Sequence, residues 1–312
     1  MSIDRVATST QSSLLLNQIQ KQESDLNTTE LQISSGDVSN TYSGIGDKVA
    51  MLEASRSAAN MQTAYQSATN LALNQANLQD TQMSSLSDIA NQLRSAITTA
   101  VGNNDGSTLM DTVSGLYDQV VQILNSTDAN GNYLYGGDQN SQPPVTATSL
   151  DDLTSLSSVS DAFQNGTVAN SVTVGDGQTV QVGMLASDVG TQLLQTFKDL
   201  ADMNASSSFG TTLTSSQVTD LNNEIQTATN AATQVNSAAA SNGSVYNELQ
   251  NASDNQTTMS NLFQGFVSNI QDVDMSTAIT QLSQQQTALQ ASLEVTAQLN
   301  QVSLLNYLNP SS

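Results

Sequence analysis

The chain is patterned as helix at both ends and not in its middle. From Ile3 to Leu124, and again from Val189 to Leu308, apolar residues recur at three- and four-residue steps, the spacing of a helical stripe. Between them lies a shorter stretch rich in Gly, Thr and Val. A chain that leaves and returns through long helices folds back on itself and pairs its two ends. The predicted fold class is mainly α: an elongated antiparallel helical bundle or coiled coil formed by both chain ends, with a small β-containing insert.

Composition narrows the chemistry. Hydrophobic residues make up 37% and aromatics 4%, with no Trp, which fills narrow seams between helices but no thick interior. No run approaches 18 apolar residues, so no transmembrane helix is expected. The first residues lack the basic, apolar and small-residue order of a cleavable secretory signal, and none is expected. The 312 residues include no Cys and no His. Disulfides, thiol catalysis, Cys/His zinc sites, histidine bases and Ser-His-Asp triads are therefore excluded. Net charge is -22, and the only basic residues are Arg5, Lys21, Lys48, Arg56, Arg94 and Lys198. Nucleic acid and anionic membrane surfaces both require cationic side chains, so neither is an expected partner. The acidity reads as a solvated, self-repelling surface.

Along the chain, residues 1 to about 36 form a helix diluted by Ser, Thr, Gln and Asn, and Gly36, Gly44 and Gly46 mark a linker. A long helix follows from about Lys48 to Val101, with Met83, Leu86, Ala90, Leu93, Ile97 and Ala100 as its seam. Gly102 to Gly106 is a turn, with Ser107 as expected N-cap of the next helix, whose seam is Met110, Val113, Tyr117, Val120 and Leu124. Asn130-Gly131 is a hairpin dipeptide, and Tyr133 and Tyr135 alternate as strand residues do. Ser149 to Phe163 reads as a short helix capped by Ser149. Val172, Val174, Val180 and Val182 flank Gly175-Asp176-Gly177 as a β-hairpin. Helix resumes near Asp188. One later seam is Val218, Leu221, Ile225, Ala228, Ala232 and Val235; another is Val245, Leu249, Ala252, Met259, Phe263, Phe266 and Ile270, with Gln256 between. Met275, Ile279, Leu282, Leu289 and Leu293 form a final stripe interrupted by Gln286, and Leu299, Val302, Leu305 and Leu308 extend it.

Several segments resemble a known family. Leu31 to Asn40 (LQISSGDVSN) and Gln284 to Leu308 (QQQTALQASLEVTAQLNQVSLLNYL) are similar to the two ends of bacterial flagellins. Asp272 to Leu282 (DVDMSTAITQL) resembles the acidic entry to the last flagellin helix. Asn125 to Val145 (NSTDANGNYLYGGDQNSQPPV) and the ending SLLNYL are closest to the hook–filament junction family, the third hook-associated protein. The chain departs from that pattern at Asn132, where the family often has a basic residue. The resemblance implies a structural, non-enzymatic flagellar component with no cofactor, metal or catalytic residue. It would be exported to the extracellular flagellum without signal cleavage. Its implied partners are further copies of itself in a ring or helix, another hook-associated protein, flagellin and an export chaperone. Flagellin itself, the filament subunit, is the alternative.

The expected domains are 1–46 with 271–312 as the terminal assembly pair, 47–137 with 188–270 as a helical rod, and 138–187 as the insert. Part of 146–187 is expected to be dispensable for assembly. The expected assembly interface is Ile3, Val6, Leu14, Ile19, Leu26, Ile279, Leu282, Leu289, Leu293, Leu299, Leu305 and Leu308. The polar-diluted stripes of the terminal segments bury too little to offset ordering entropy alone, so sister molecules are expected to complete them.

Other motifs read more plainly. Asp128, Asn130 and Asn132 have calcium-loop spacing, but Tyr133 and Gln139 replace the loop's Gly and Glu, so the segment reads as a helix stop. Asp151-Asp152 reads as a helix N-terminus; a carboxylate hydrolase would need a second acid converging on it. Met83, Met110, Met259 and Met275 read as seam packing.

Overall fold

The computed structural model describes the backbone of residues 2–308 and the side chains of residues 10–299 and 301. Its helices in chain order begin with α1 (Ser2–Ser35), α2 (Tyr42–Ile45), α3 (Val49–Asn103), α4 (Leu109–Leu124) and α5 (Leu150–Ser155). A two-stranded hairpin follows, β1 (Ser171–Gly175) and β2 (Gln178–Gln181), and then α6 (Ala186–Ser206), α7 (Ser215–Gln271) and α8 (Met275–Leu308). The fold is a helical bundle of long antiparallel helices with a small sheet. In these Ser- and Thr-rich helices many hydroxyls turn back onto their own helix, which satisfies them without an outside partner. Thr81, Thr98, Thr257, Thr287 and Ser292 each donate to the carbonyl four residues earlier.

Two compact units divide the chain: residues 1–60 with 260–312, and residues 61–259. In the first, α1 packs on α8. Two linkers run beside each other as an antiparallel bridge, Asp37 opposite Asp272. Val38 N–H donates to Gln271 O at 2.7 Å and Val273 N–H to Gly36 O at 2.8 Å. Gly36 sits at φ +79°, a left-handed conformation that suits glycine as the chain leaves α1.

In the second unit, one core gathers residues 83–100 of α3, the inner faces of α4 and α6, and the α7 seam from Leu221 to Val235. Met83, Leu86, Ala90, Leu93, Ile97, Val113, Tyr117, Val120 and Leu124 are buried as their spacing predicts, whereas Met110 only packs against the edge. Tyr117 meets Phe197 edge to face at 5.5 Å and donates its hydroxyl to Ala147 O at 2.6 Å. At Gly190 of α6, an added Cβ would lie 2.8 Å from Leu124 Cδ1, so a larger residue there would force the Leu124 side chain to move. A smaller core joins Ala72 of α3 and Leu249 of α7 to Val174, Val180 and Val182 of the hairpin.

Several local expectations are corrected. Ser107 does not cap α4: the helix starts at Leu109 after Thr108, and Ser107 N–H donates to Asp105 Oδ1 at 2.9 Å. The turn closes as an Asx loop instead, with Asn104 at φ +54°. Tyr133 and Tyr135 do not alternate on a strand; Leu134 and Tyr135 are both buried, and only Thr127 bridges Tyr133. The 149–163 segment splits into α5 and a 3-10 turn at Val159–Ala162, each opened by a reciprocal Ser/Asp cap, Ser149 with Asp152 and Ser158 with Asp161. Val145, Ala147, Leu150, Leu153, Val159 and Ala162 belong to the main core, so the first part of the 138–187 insert is built into the body, whereas the hairpin packs in the smaller core.

Candidate assembly interface

The α1–α8 pair has a seam with regular steps of four and three. On α1 it runs through Leu15, Ile19, Gln22, Leu26, Thr29 and Ile33; on α8 through Ala278, Leu282, Gln285, Leu289, Ser292 and Thr296. All are buried or half-buried, and apart from Gln32 their immediate neighbours are exposed. The spacing is that of a two-stranded coiled coil, but five of the twelve positions are polar. Gln22 and Gln285 each hold a buried side-chain oxygen with no hydrogen-bond partner. Such an atom costs about 1–3 kcal/mol when left unsatisfied, so the seam is weak for its length.

This arrangement sorts the expected interface residues. Ile19 is buried in the seam, and Leu26, Leu282 and Leu289 are half-buried in it. Leu14 is 64% exposed, Ile279 54%, Leu293 49% and Leu299 40%. The side chains of Ile3, Val6, Leu305 and Leu308 lie outside the described residues. The single stripe expected on α8 is therefore two rows. Leu282 and Leu289 meet α1, while Met275, Ile279 and Leu293, about 20–80° from them around the helix at 100° per residue, are exposed. Val295 and Leu299 are exposed on the other flank, and Leu16 and Leu31 add to the open surface of α1. Sequence reasoning missed Leu15, Gln22, Gln285, Ser292 and Thr296, although the steps of four and three run straight through them.

Polar groups anchor the base of the pair. Asp274 caps α8: Oδ1 accepts from Thr277 N–H at 3.2 Å and Ser276 N–H at 3.0 Å and Oδ2 from the Thr277 hydroxyl at 3.0 Å, and these bonds, those of Thr277 first, hold its carboxyl below the usual carboxylate range. Arg56 of α3 donates to Gln271 Oε1 at 2.6 Å and to Glu53 Oε1 at 3.0 Å. Gln271 in turn donates to Asp37 Oδ1 at 3.0 Å, so one relay reaches both linkers.

Charge is distributed unequally. The first unit has four basic and ten acidic residues, net -6; the second has two and eighteen, net -16. A cleft of about 520 Å³ in the second unit is lined by Asp199, Asp202 and Asp220. Asp202 is paired with Lys198 at 3.2 Å, and Gln195 donates to Asp199 at 2.8 Å. Glu224 is buried behind this cluster with Oε2 unpartnered, and burial, then Asp199, pushes its carboxyl up to about 7. Among the described residues no three acidic side chains converge as a metal site, and no helix is long and apolar enough to cross a membrane. Asp128 is occupied locally, accepting from the N–H groups of Asn130 and Asn132. Asp151 and Asp152 lie at the exposed start of α5, where Asp152 caps the helix.

The terminal helices thus pair around a polar seam, with apolar side chains open on both flanks. Comparison with known proteins agrees at the level of fold and of one region. The bacterial flagellin C-terminal helical region matches residues 225–308, most of α7 and all of α8. A solved structure of a protein assigned as flagellar hook-associated, from Vibrio parahaemolyticus, is similar at a TM-score of 0.59 and 16% identity, covering 74% of this chain and 99% of that one. Bacillus cereus FlgL is similar at a TM-score of 0.48 and 13% identity, over 63% of this chain and 96% of that one. No curated protein matches the chain.

Proposed function

We propose that this chain is a structural, non-enzymatic subunit of the bacterial flagellum that assembles through its terminal helices. The observation that carries this reading is the α1–α8 pair: a coiled-coil seam too polar to be strong alone, beside exposed Leu14, Leu16, Ile279, Leu293, Val295 and Leu299. Apolar side chains of that size left open along a helix pair are covered by further helices. The flagellin-type match over residues 225–308 supports the flagellar setting. In this reading residues 1–46 with 271–312 are the assembly domain, 47–137 with 188–270 the helical body, and 138–187 a small β-containing insert. The protein acts outside the cell.

Within the flagellum, we place it between hook and filament, contacting another hook-associated protein on one side and flagellin on the other, with an export chaperone before secretion. The junction-like segment Asn125–Val145 favours this position over the filament subunit. Deletion of the gene tests it: intact hooks with flagellin shed into the medium are expected. Long filaments grown on seeds from the purified chain alone would instead make it the filament subunit.

A further inference from the structure

The acidic cleft of the second unit lies between α6 and the start of α7, and its carboxylates differ in what they meet. Asp202 is paired: Lys198 Nζ sits 3.2 Å from it and also donates to Thr154 O at 3.4 Å. Asp199 accepts from the neutral amide of Gln195 at 2.8 Å, and Asp220 from the Ser216 hydroxyl at 3.4 Å. Among the described residues no cation forms an ion pair with Asp199, Asp220 or Glu224. The unit has no basic residue to offer besides Arg94 and Lys198.

Glu224 gives the cluster a depth that surface acids lack. Gln217 and Asp220 line the cleft, and Glu224 falls within about 60° of both around α7 at 100° per residue. It therefore continues the lining face one turn along. Glu224 is 8% exposed, and its Oε2 has no hydrogen-bond partner. Asp199, across the cleft on α6, acts on it more strongly than any other charge, so its carboxyl is turned toward the cleft. A carboxylate buried without a donor burdens the fold until a cation reaches it.

We propose that this cleft binds a linear aliphatic diamine, with one ammonium group meeting Glu224 and Asp199 and the other meeting Asp220. The arrangement of the acids selects the ligand. A metal ion needs ligands converging on one point, and among the described residues no group of three acids does so. Asp220 and Glu224, one turn apart on a shared face, are separated by about 6 Å along the helix axis. Two charges joined by a short methylene chain span that separation, and one compact ion does not. Met203, half-buried on the lining, offers an apolar surface to the methylenes, and each ammonium brings three donors to the carboxylates. The cleft volume of about 520 Å³ falls within the range of small-molecule sites, about 300–1,000 Å³. The proposal is independent of assembly and of the terminal helices.

Isothermal titration calorimetry of the full, dispersed chain with butane-1,4-diamine tests it, at low salt and at pH 8, above the value of about 7 to which burial raises Glu224. Saturable binding is expected. Glu224→Gln, which keeps the size of the side chain, and Asp220→Asn, at an exposed position, should each weaken it roughly tenfold by removing a charge-assisted hydrogen bond. Asp254→Asn removes one exposed carboxylate elsewhere in the unit and should leave the affinity unchanged, and circular dichroism verifies all three folds. Equal weakening by the three variants, or displacement of the diamine by an equal concentration of magnesium chloride, would reduce the binding to the general attraction of an acidic surface and overturn the site. So would the absence of saturable binding. A tetralysine peptide distinguishes the source of the ammonium groups: if it binds more tightly than the diamine and is weakened equally by Glu224→Gln, the ligand is a polypeptide side chain and the free diamine is overturned.

Discussion

Gln22 of α1 and Gln285 of α8 both lie in the seam between the terminal helices, and each buries a side-chain oxygen that no donor reaches. Most of what is distinctive in this pair follows from that relationship. Apolar residues at the same positions would give a tight, self-sufficient coiled coil. The glutamines hold the pair near the margin, where contacts from outside count.

Replacing both residues, Gln22→Leu with Gln285→Leu, should stabilise the isolated pair by about 1–3 kcal/mol, because the unsatisfied oxygens disappear and apolar area is buried. Hydrogen exchange of α1 and α8 amides in the monomer reads this as slower exchange. Unchanged or faster exchange would mean that the oxygens are satisfied in solution.

The two rows of α8 separate pairing from assembly. Leu289→Asp places a charge in the seam and should cost several kcal/mol of pairing, about the penalty for an unpaired buried charge after relaxation. Leu293→Asp should leave the helicity of the monomer intact and abolish sedimentable assemblies. Circular dichroism and sedimentation velocity distinguish these outcomes, and assembly by Leu293→Asp at the parent's concentration would contradict the assigned face.

Glu224 should impose a pH dependence on the second unit. Its carboxyl is raised from 4.5 to about 7 by burial first, with Asp199 and then Asp220 adding to the rise. The folded chain holds a proton that the unfolded chain releases, so this contribution is full below about 4.5 and is lost as pH rises through 7. Urea midpoints should therefore fall between pH 5.5 and pH 8.5, and Glu224→Gln should flatten that part of the profile.

Arg56 should act on linkers far from it in sequence. Arg56→Ala removes the donor to Gln271 and with it the support of Asp37, so the Val38 and Val273 amides should lose protection by roughly tenfold. The exposed ion pair with Glu53 contributes little to this, at most about 1 kcal/mol. Glu53→Gln, which keeps the relay, should leave both amides protected.

Local structure was largely written in local pattern. The three- and four-residue steps from Met83 to Ala100 and from Leu221 to Val235 predict buried helix faces, and those faces are buried. The valines around Gly175-Asp176-Gly177 pair as a hairpin, Val172 opposite Val180, because alternation and a tight glycine turn specify it within a dozen residues. The reciprocal cap of Thr214 and Gln217 at the start of α7 was equally legible, in the T-x-x-Q spacing, though the sequence reading passed over it.

Packing between distant segments was not legible in that way. On α8, apolar residues flank the seam on both sides, so periodicity alone does not say whether Leu282 or Ile279 faces α1; the choice belongs to the partner helix that covers one row. The burial of Leu153 and Val159 beneath α4 and α6, and the reach of Arg56 to Gln271 across 215 residues, likewise depend on surfaces that meet only after the chain has folded back. A one-dimensional pattern encodes which residues share a helix face. It does not encode which of two apolar faces finds a neighbour within the molecule and which is left for another.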